Sequence, residues 1–85
     1  MKNSVFVLFW CDLHHTHDSK RIAGVFEDFN KAYLGANKFA KKSLDGNLSS
    51  ADRFELWNYK QTQTQNRNEN YIIEEWEINK LIKQI

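Results

Sequence analysis

The sequence predicts an α+β domain: a small antiparallel four-stranded sheet in β-β-α-β-β order, one main helix packed on one face, and a short C-terminal helix. Three observations carry this. The run Ser4-Val5-Phe6-Val7-Leu8-Phe9-Trp10-Cys11 is apolar at successive positions, so both faces of that strand need cover. Between Glu27 and Ser43 the apolar period changes to three and four residues. Two later segments, 53–59 and 71–78, are rich in aromatic and β-branched residues.

The first strand stops at the polar cluster Asp12-Leu13-His14-His15-Thr16-His17-Asp18, and residues 12–20 read as a long hairpin loop. Arg21-Ile22-Ala23-Gly24-Val25-Phe26 follows as the second strand, where Gly24 signals a bulge or a close backbone approach. In the helix, Phe29, Ala32, Tyr33, Ala36, Phe39 and Ala40 make one apolar stripe. Glu27 and Asp28 suit its positive end, Lys38, Lys41 and Lys42 its negative end, and Phe26 is placed to staple the first turn. Gly35 costs about 1 kcal/mol relative to alanine in a helix, so it marks either close packing on the sheet or a tolerated weakness. Leu44-Asp45-Gly46-Asn47 is a stop and turn.

The third predicted strand, Arg53-Phe54-Glu55-Leu56-Trp57-Asn58-Tyr59, sets Phe54 and Leu56 on one face and Trp57 and Tyr59 on the other. The fourth, 71–78, puts Ile72, Trp76 and Ile78 on one face. Residues 60–70 between them have no apolar anchor and read as a mobile hairpin tip or a solvated extension of the two strands. Ile78, Leu81, Ile82 and Ile85 have the spacing of a short closing helix, with a longer helix starting near Glu74 as the competing reading.

Length and composition bound the function classes. The 85 residues read as a single domain, 1–85, and 41% apolar with 27% charged residues is ordinary for a soluble protein. No run approaches the roughly 20 apolar residues of a membrane span, and no signal peptide is expected. Cys11 is the only cysteine, which excludes an internal disulfide and a thiolate zinc site and points to a reducing cytoplasm. The net charge of +1 supplies no global field for nucleic acid. Residues 20–60 carry eight Lys/Arg against five Asp/Glu, while Glu74, Glu75 and Glu77 collect near the end.

Val5-Phe6-Val7-Leu8-Phe9, Ile22-Ala23-Gly24-Val25-Phe26, a helix, and then Tyr71-Ile72-Ile73-Glu74-Glu75-Trp76-Glu77 resemble a class of small uncharacterised phage and bacterial proteins. The resemblance implies a β-β-α-β-β fold over nearly the whole chain and an accessory protein of a phage or mobile element. It carries over no catalytic residue. The clusters 12–18 and 60–70 have no counterpart in it.

Four groups of side chains invite chemistry. His14, His15 and His17 with Asp12 and Asp18 are nitrogen and oxygen ligands suited to zinc or a related divalent ion. In an extended segment, however, only His15 and His17 point the same way, and a polar hairpin loop is the preferred reading. Cys11 beside His14 suggests a thiolate nucleophile, set against a buried core cysteine. Lys31, Lys38, Lys41 and Lys42 with Arg53, Trp57 and Tyr59 suggest a nucleic-acid surface, set against the wet face of an amphipathic helix. Glu74, Glu75 and Glu77 read as a solvated acidic strip that can guide docking rather than as catalytic acids.

The functional expectation is therefore a non-enzymatic protein-interaction module with no cofactor. One helix covers one sheet face, so the other face is expected to enter a homodimer or to mask or modulate a host protein. Trp10, Trp57, Tyr59 and Trp76 are the expected anchors. The alternatives are a nucleic-acid-binding protein using the lysine-bearing helix and sheet aromatics, and a small metal-binding protein using the histidine-rich loop.

Overall fold

The computed structural model describes residues 4–12, 20–43, 45–62 and 69–78. The two apolar runs form β1 (Ser4–Asp12) and β2 (Arg21–Phe26), and the helical stripe forms α1 (Phe29–Lys41). The chain continues through α2 (Ser50–Tyr59) to β3 (Glu69–Glu77), so the order is β-β-α-α-β.

The sheet is antiparallel with strand order β2-β1-β3. Placing β1 in the middle explains its unbroken apolar run. Phe6, Leu8 and Trp10 stand opposite Glu75, Ile73 and Tyr71 on the helix-covered face. Val5, Val7, Phe9 and Cys11 stand opposite Trp76, Glu74, Ile72 and Asn70 on the second face. The core gathers Leu8, Ala32, Ala36, Ala40, Leu48, Leu56, Tyr71 and Ile73 between sheet and helices.

Small residues let α1 lie close to the strands. Ala32, Ala36 and Ala40 recur every four residues and are fully buried. Asp28 caps the helix by accepting from the Lys31 amide at 2.8 Å. Both readings of Gly24 hold: the β1–β2 register shifts between Leu8 and Phe9, and the Phe26 ring lies across the glycine. A Cβ on Gly24 would stand 2.9 Å from Phe26 Cε2, and one on Gly35 would stand 2.5 Å from Phe26 Cζ. Gly35 therefore admits the ring between helix and sheet.

The expected four-stranded β-β-α-β-β sheet with one main helix is corrected. The sheet has three strands among the described residues, and segment 53–59 belongs to a second helix. The reason is local. Ser49 accepts from the Asp52 amide while the Asp52 carboxylate accepts from the Ser49 amide, each at 3.0 Å, a reciprocal cap that commits the next residues to helix. Alternation put Phe54 and Leu56 on one face. In the helix Leu56 is 0% exposed and Phe54 59%, because two residues subtend about 200° rather than a full strand repeat.

The place of the expected strand is partly taken by the residues after α2. Lys60 adopts a left-handed backbone (φ 63°) and ends the helix. Its carbonyl then accepts from the Ile73 amide at 2.8 Å, and the Thr62 amide donates to the Tyr71 carbonyl at 2.9 Å. With the Gln61–Ile72 bridge, these bonds cover part of the outer edge of β3. Strand β3 runs through Glu77, so a helix beginning near Glu74 does not form. The expected short C-terminal helix falls largely on residues 79–85, and the expected loop tips on 13–19 and 63–68, all outside the described residues.

Candidate functional site

The four expected anchors do not converge. Trp10 is half-buried on the helix face, with its ring centroid 6.2 Å from that of Phe39. Trp76 is half-buried on the opposite face, 6.1 Å from Phe9. Its indole nitrogen donates to Glu74 at 2.9 Å, Glu74 pairs with Lys20 at 2.5 Å, and the Lys20 ammonium lies 4.2 Å from the Phe9 ring centre. These side chains spread over the middle of the second face. Val7, Phe9 and Cys11 are accordingly 2%, 7% and 1% exposed within the single chain. Val7, Phe9 and Cys11 thus find cover without a partner, but Ile22 and Val25 of β2, opposite Phe9 and Val7 on this same face, are 59% and 58% exposed. Leu34 and Phe39 of α1 are exposed as well, and a larger set lies on α2.

That larger set is Phe54, Trp57 and Tyr59, which are 59%, 49% and 59% exposed. Leu56 is the one apolar side chain of α2 that is buried, and buried Asp52 is engaged in the cap. The remaining aromatics are turned away from the sheet. Trp57 leans edge-on against Phe29 and Tyr33 of α1, with centroids 5.1 and 5.0 Å away, and Phe54 meets Tyr59 at 6.2 Å. The Lys60 ammonium stands 5.2 Å from the Phe29 ring centre.

A cleft lined by three cationic residues continues the seam between the two helices. Asn37, Lys38 and Lys41 of α1 and Asn47, Leu48 and Arg53 line about 320 Å³ of space. Trp57 meets the start of α1 while Arg53 shares this cleft with its end, so the helices run in opposite directions. On each helix the aromatic and polar portions are one turn apart: Tyr33 precedes Asn37 by four residues, as Arg53 precedes Trp57. The Asn37 side chain donates to the Tyr33 carbonyl at 2.8 Å, fixing that spacing on α1. Arg53 donates to the Leu48 carbonyl at 2.9 Å and to Ser50 Oγ at 3.4 Å. The strand assignment had hidden this surface by setting Phe54 with Leu56 on the face opposite Trp57 and Tyr59. The signal that reveals it is Ser49-Ser50-Ala51-Asp52, a helix start.

The other candidates are less developed. Asp12 ends β1 opposite Glu69, whereas His14, His15, His17 and Asp18 lie outside the described residues. Among the described residues, no group of three or more His, Cys, Asp or Glu is arranged to hold a metal. The Cys11 thiol is buried and donates to the Asn70 carbonyl at 3.7 Å. Burial pushes its pKa up, the charge of Asp12 adds to this, and Lys20 opposes it. Such a thiol is protonated near neutrality and is a poor nucleophile. At Glu74 burial is the largest single influence and favours the neutral acid. The hydrogen bonds from Lys20 and Trp76 and the Lys20 charge together outweigh it, and hold the carboxyl below its usual range.

Comparison of the chain with protein-family models, with curated proteins and with solved structures gave no match. The resemblance to a class of small phage and bacterial proteins is corrected on that finding, and on the β-β-α-α-β order that replaces its β-β-α-β-β order. The quoted strands are generic apolar pairs closed by a glycine and an aromatic, a pattern that packing alone explains. Among the described residues no helix is long and apolar enough to cross a membrane.

Proposed function

We propose that this chain is a non-enzymatic protein-interaction module and that it presents the outer surface of α2 to a different protein. The observation that carries this reading is the exposure of Phe54, Trp57 and Tyr59 on a helix anchored by Leu56. Large aromatic side chains left together in water are typical anchors of protein interfaces. Covering the exposed part of each is worth roughly 1 kcal/mol, so the three contribute to a micromolar complex without setting its affinity alone. The support differs from that suggested by β1, where Val7, Phe9 and Cys11 of the second face are buried within the chain. A cytoplasmic setting belongs to this reading, on the strength of the single cysteine.

The test is a displayed library of random peptides selected on the wild-type chain and counter-selected on Phe54→Ser/Tyr59→Ser. The reading expects enriched peptides that bind the wild type and lose most of their affinity for the variant. Enrichment of none, or of binders indifferent to these substitutions, would reject it. Light scattering at micromolar concentration reports the competing occupant, a second copy of the chain. A dimer abolished by the same substitutions would replace the hetero-partner reading.

A further inference from the structure

We propose that the partner segment seated on α2 is an acidic amphipathic helix. It sets an apolar side chain against Phe54 and Trp57 and places a carboxylate one turn away in the cleft of Lys38, Lys41 and Arg53. This inference rests on the docking reading above and adds the chemistry of the partner.

The charge arrangement supplies the argument. Three cations and two asparagines line the cleft with Leu48, and among the described residues no carboxylate does. Among the described residues, Lys38 and Lys41 make no ion pair or side-chain hydrogen bond. Lys38 and Lys41 are in the last turn of α1, where the helix dipole favours positive charge, so their presence has a structural explanation. Arg53 does not share it. It follows the capping box of α2, four residues after Ser49, at the end where the dipole disfavours a cation. Arg53 is nevertheless held there by the Leu48 carbonyl and Ser50 Oγ, beside a cleft that Lys38 and Lys41 also line. An anion in the cleft would meet three cationic side chains, and Arg53 retains further N–H donors to bind it.

The same arrangement selects among occupants. The cations gather at one end of the seam, and the middle is aromatic, with Lys60 beyond it. A polyanionic strand needs a continuous basic track, and the chain as a whole carries only +1. A second copy docked seam to seam would bring basic surfaces together. A helix lying along the groove of two antiparallel helices meets the observed spacing, since an apolar and an acidic side chain four residues apart match Trp57 and Arg53.

The experiment uses three synthetic amphipathic peptides of about 16 residues, long enough to hold a helix when bound. They share one apolar face and carry Glu, Gln or Lys four residues from its central leucine. Fluorescence anisotropy titrations compare wild type, Lys38→Glu/Lys41→Glu, Arg53→Gln and Phe54→Ser/Tyr59→Ser, with circular dichroism confirming that each variant is folded. The Glu peptide is expected to bind wild type about tenfold more tightly than the Lys peptide, with a preference that weakens as salt rises. Lys38→Glu/Lys41→Glu should reverse the order, Arg53→Gln should narrow it, and Phe54→Ser/Tyr59→Ser should weaken all three peptides. Equal binding of the three with retained dependence on Phe54 and Tyr59 would overturn the acidic assignment and leave the docking reading intact. Absence of binding by every peptide would overturn both. Tighter binding of a short oligothymidine or oligouridine than of the Glu peptide would overturn the assignment in favour of nucleic acid.

Discussion

Helices α1 and α2 lie side by side but distribute their side chains in opposite ways. α1 buries Ala32, Ala36 and Ala40, small residues that bring its backbone onto the strands. α2 buries Leu56 and the capping Asp52, and leaves Phe54, Trp57 and Tyr59 exposed. A helix serving the fold alone would place its large apolar groups inward. α1 also leaves Leu34 and Phe39 exposed, but three small residues seat it on the sheet, whereas α2 is attached through Leu56 and exposes all three of its aromatics.

Breaking that attachment has the largest expected effect. Leu56→Ala should cost about 2–5 kcal/mol in urea unfolding, because it removes the fully buried apolar anchor of α2. Next comes the close packing of α1. Gly35→Ala gains about 1 kcal/mol of helix propensity but drives a methyl into the Phe26 ring, for a net loss of about 1–2 kcal/mol. The loss should vanish in a Phe26→Ala background, so a double-mutant cycle separates packing from propensity. Ser49→Ala should cost about 1 kcal/mol by removing half of the capping box, again read by urea unfolding.

The smallest effect concerns the second sheet face. Glu74 has a depressed pKa in the folded chain, so its contribution is present above the unfolded pKa and fades as pH falls through the folded value. The pair is partly exposed, and its contribution should be under about 1 kcal/mol. Unfolding measured from neutral to acid pH should show Glu74→Gln with a slightly flatter decline than wild type. An unchanged slope would remove Glu74 from the account of acid sensitivity.

Much of the fold was legible where apolar period and end signals agreed. β1, β2 and α1 follow from an unbroken apolar run, a glycine-marked segment and a stripe flanked by acids and lysines. α2 was misread because Phe54, Leu56 and aromatic Trp57 and Tyr59 imitate strand alternation over seven residues. The decisive signal preceded them, in Ser49 and Asp52, and its strength lies in satisfying amides rather than in hydrophobicity. The candidate site was legible only as a residue inventory. Lys38, Lys41, Arg53 and Trp57 were visible, but their meeting along one seam depends on α2 running antiparallel to α1, which sequence spacing does not encode. Trp10 and Trp76 read as anchors by size, although each is occupied by a neighbour within the fold.

The central claim is that the outward aromatics of α2 are dispensable to folding and available for docking. Its most direct test is urea unfolding of Phe54→Ser/Tyr59→Ser beside wild type and Leu56→Ala. The account predicts a double variant within about 1 kcal/mol of wild type, as expected of largely exposed side chains. A loss as large as that of Leu56→Ala would contradict it, because these rings would then belong to the core.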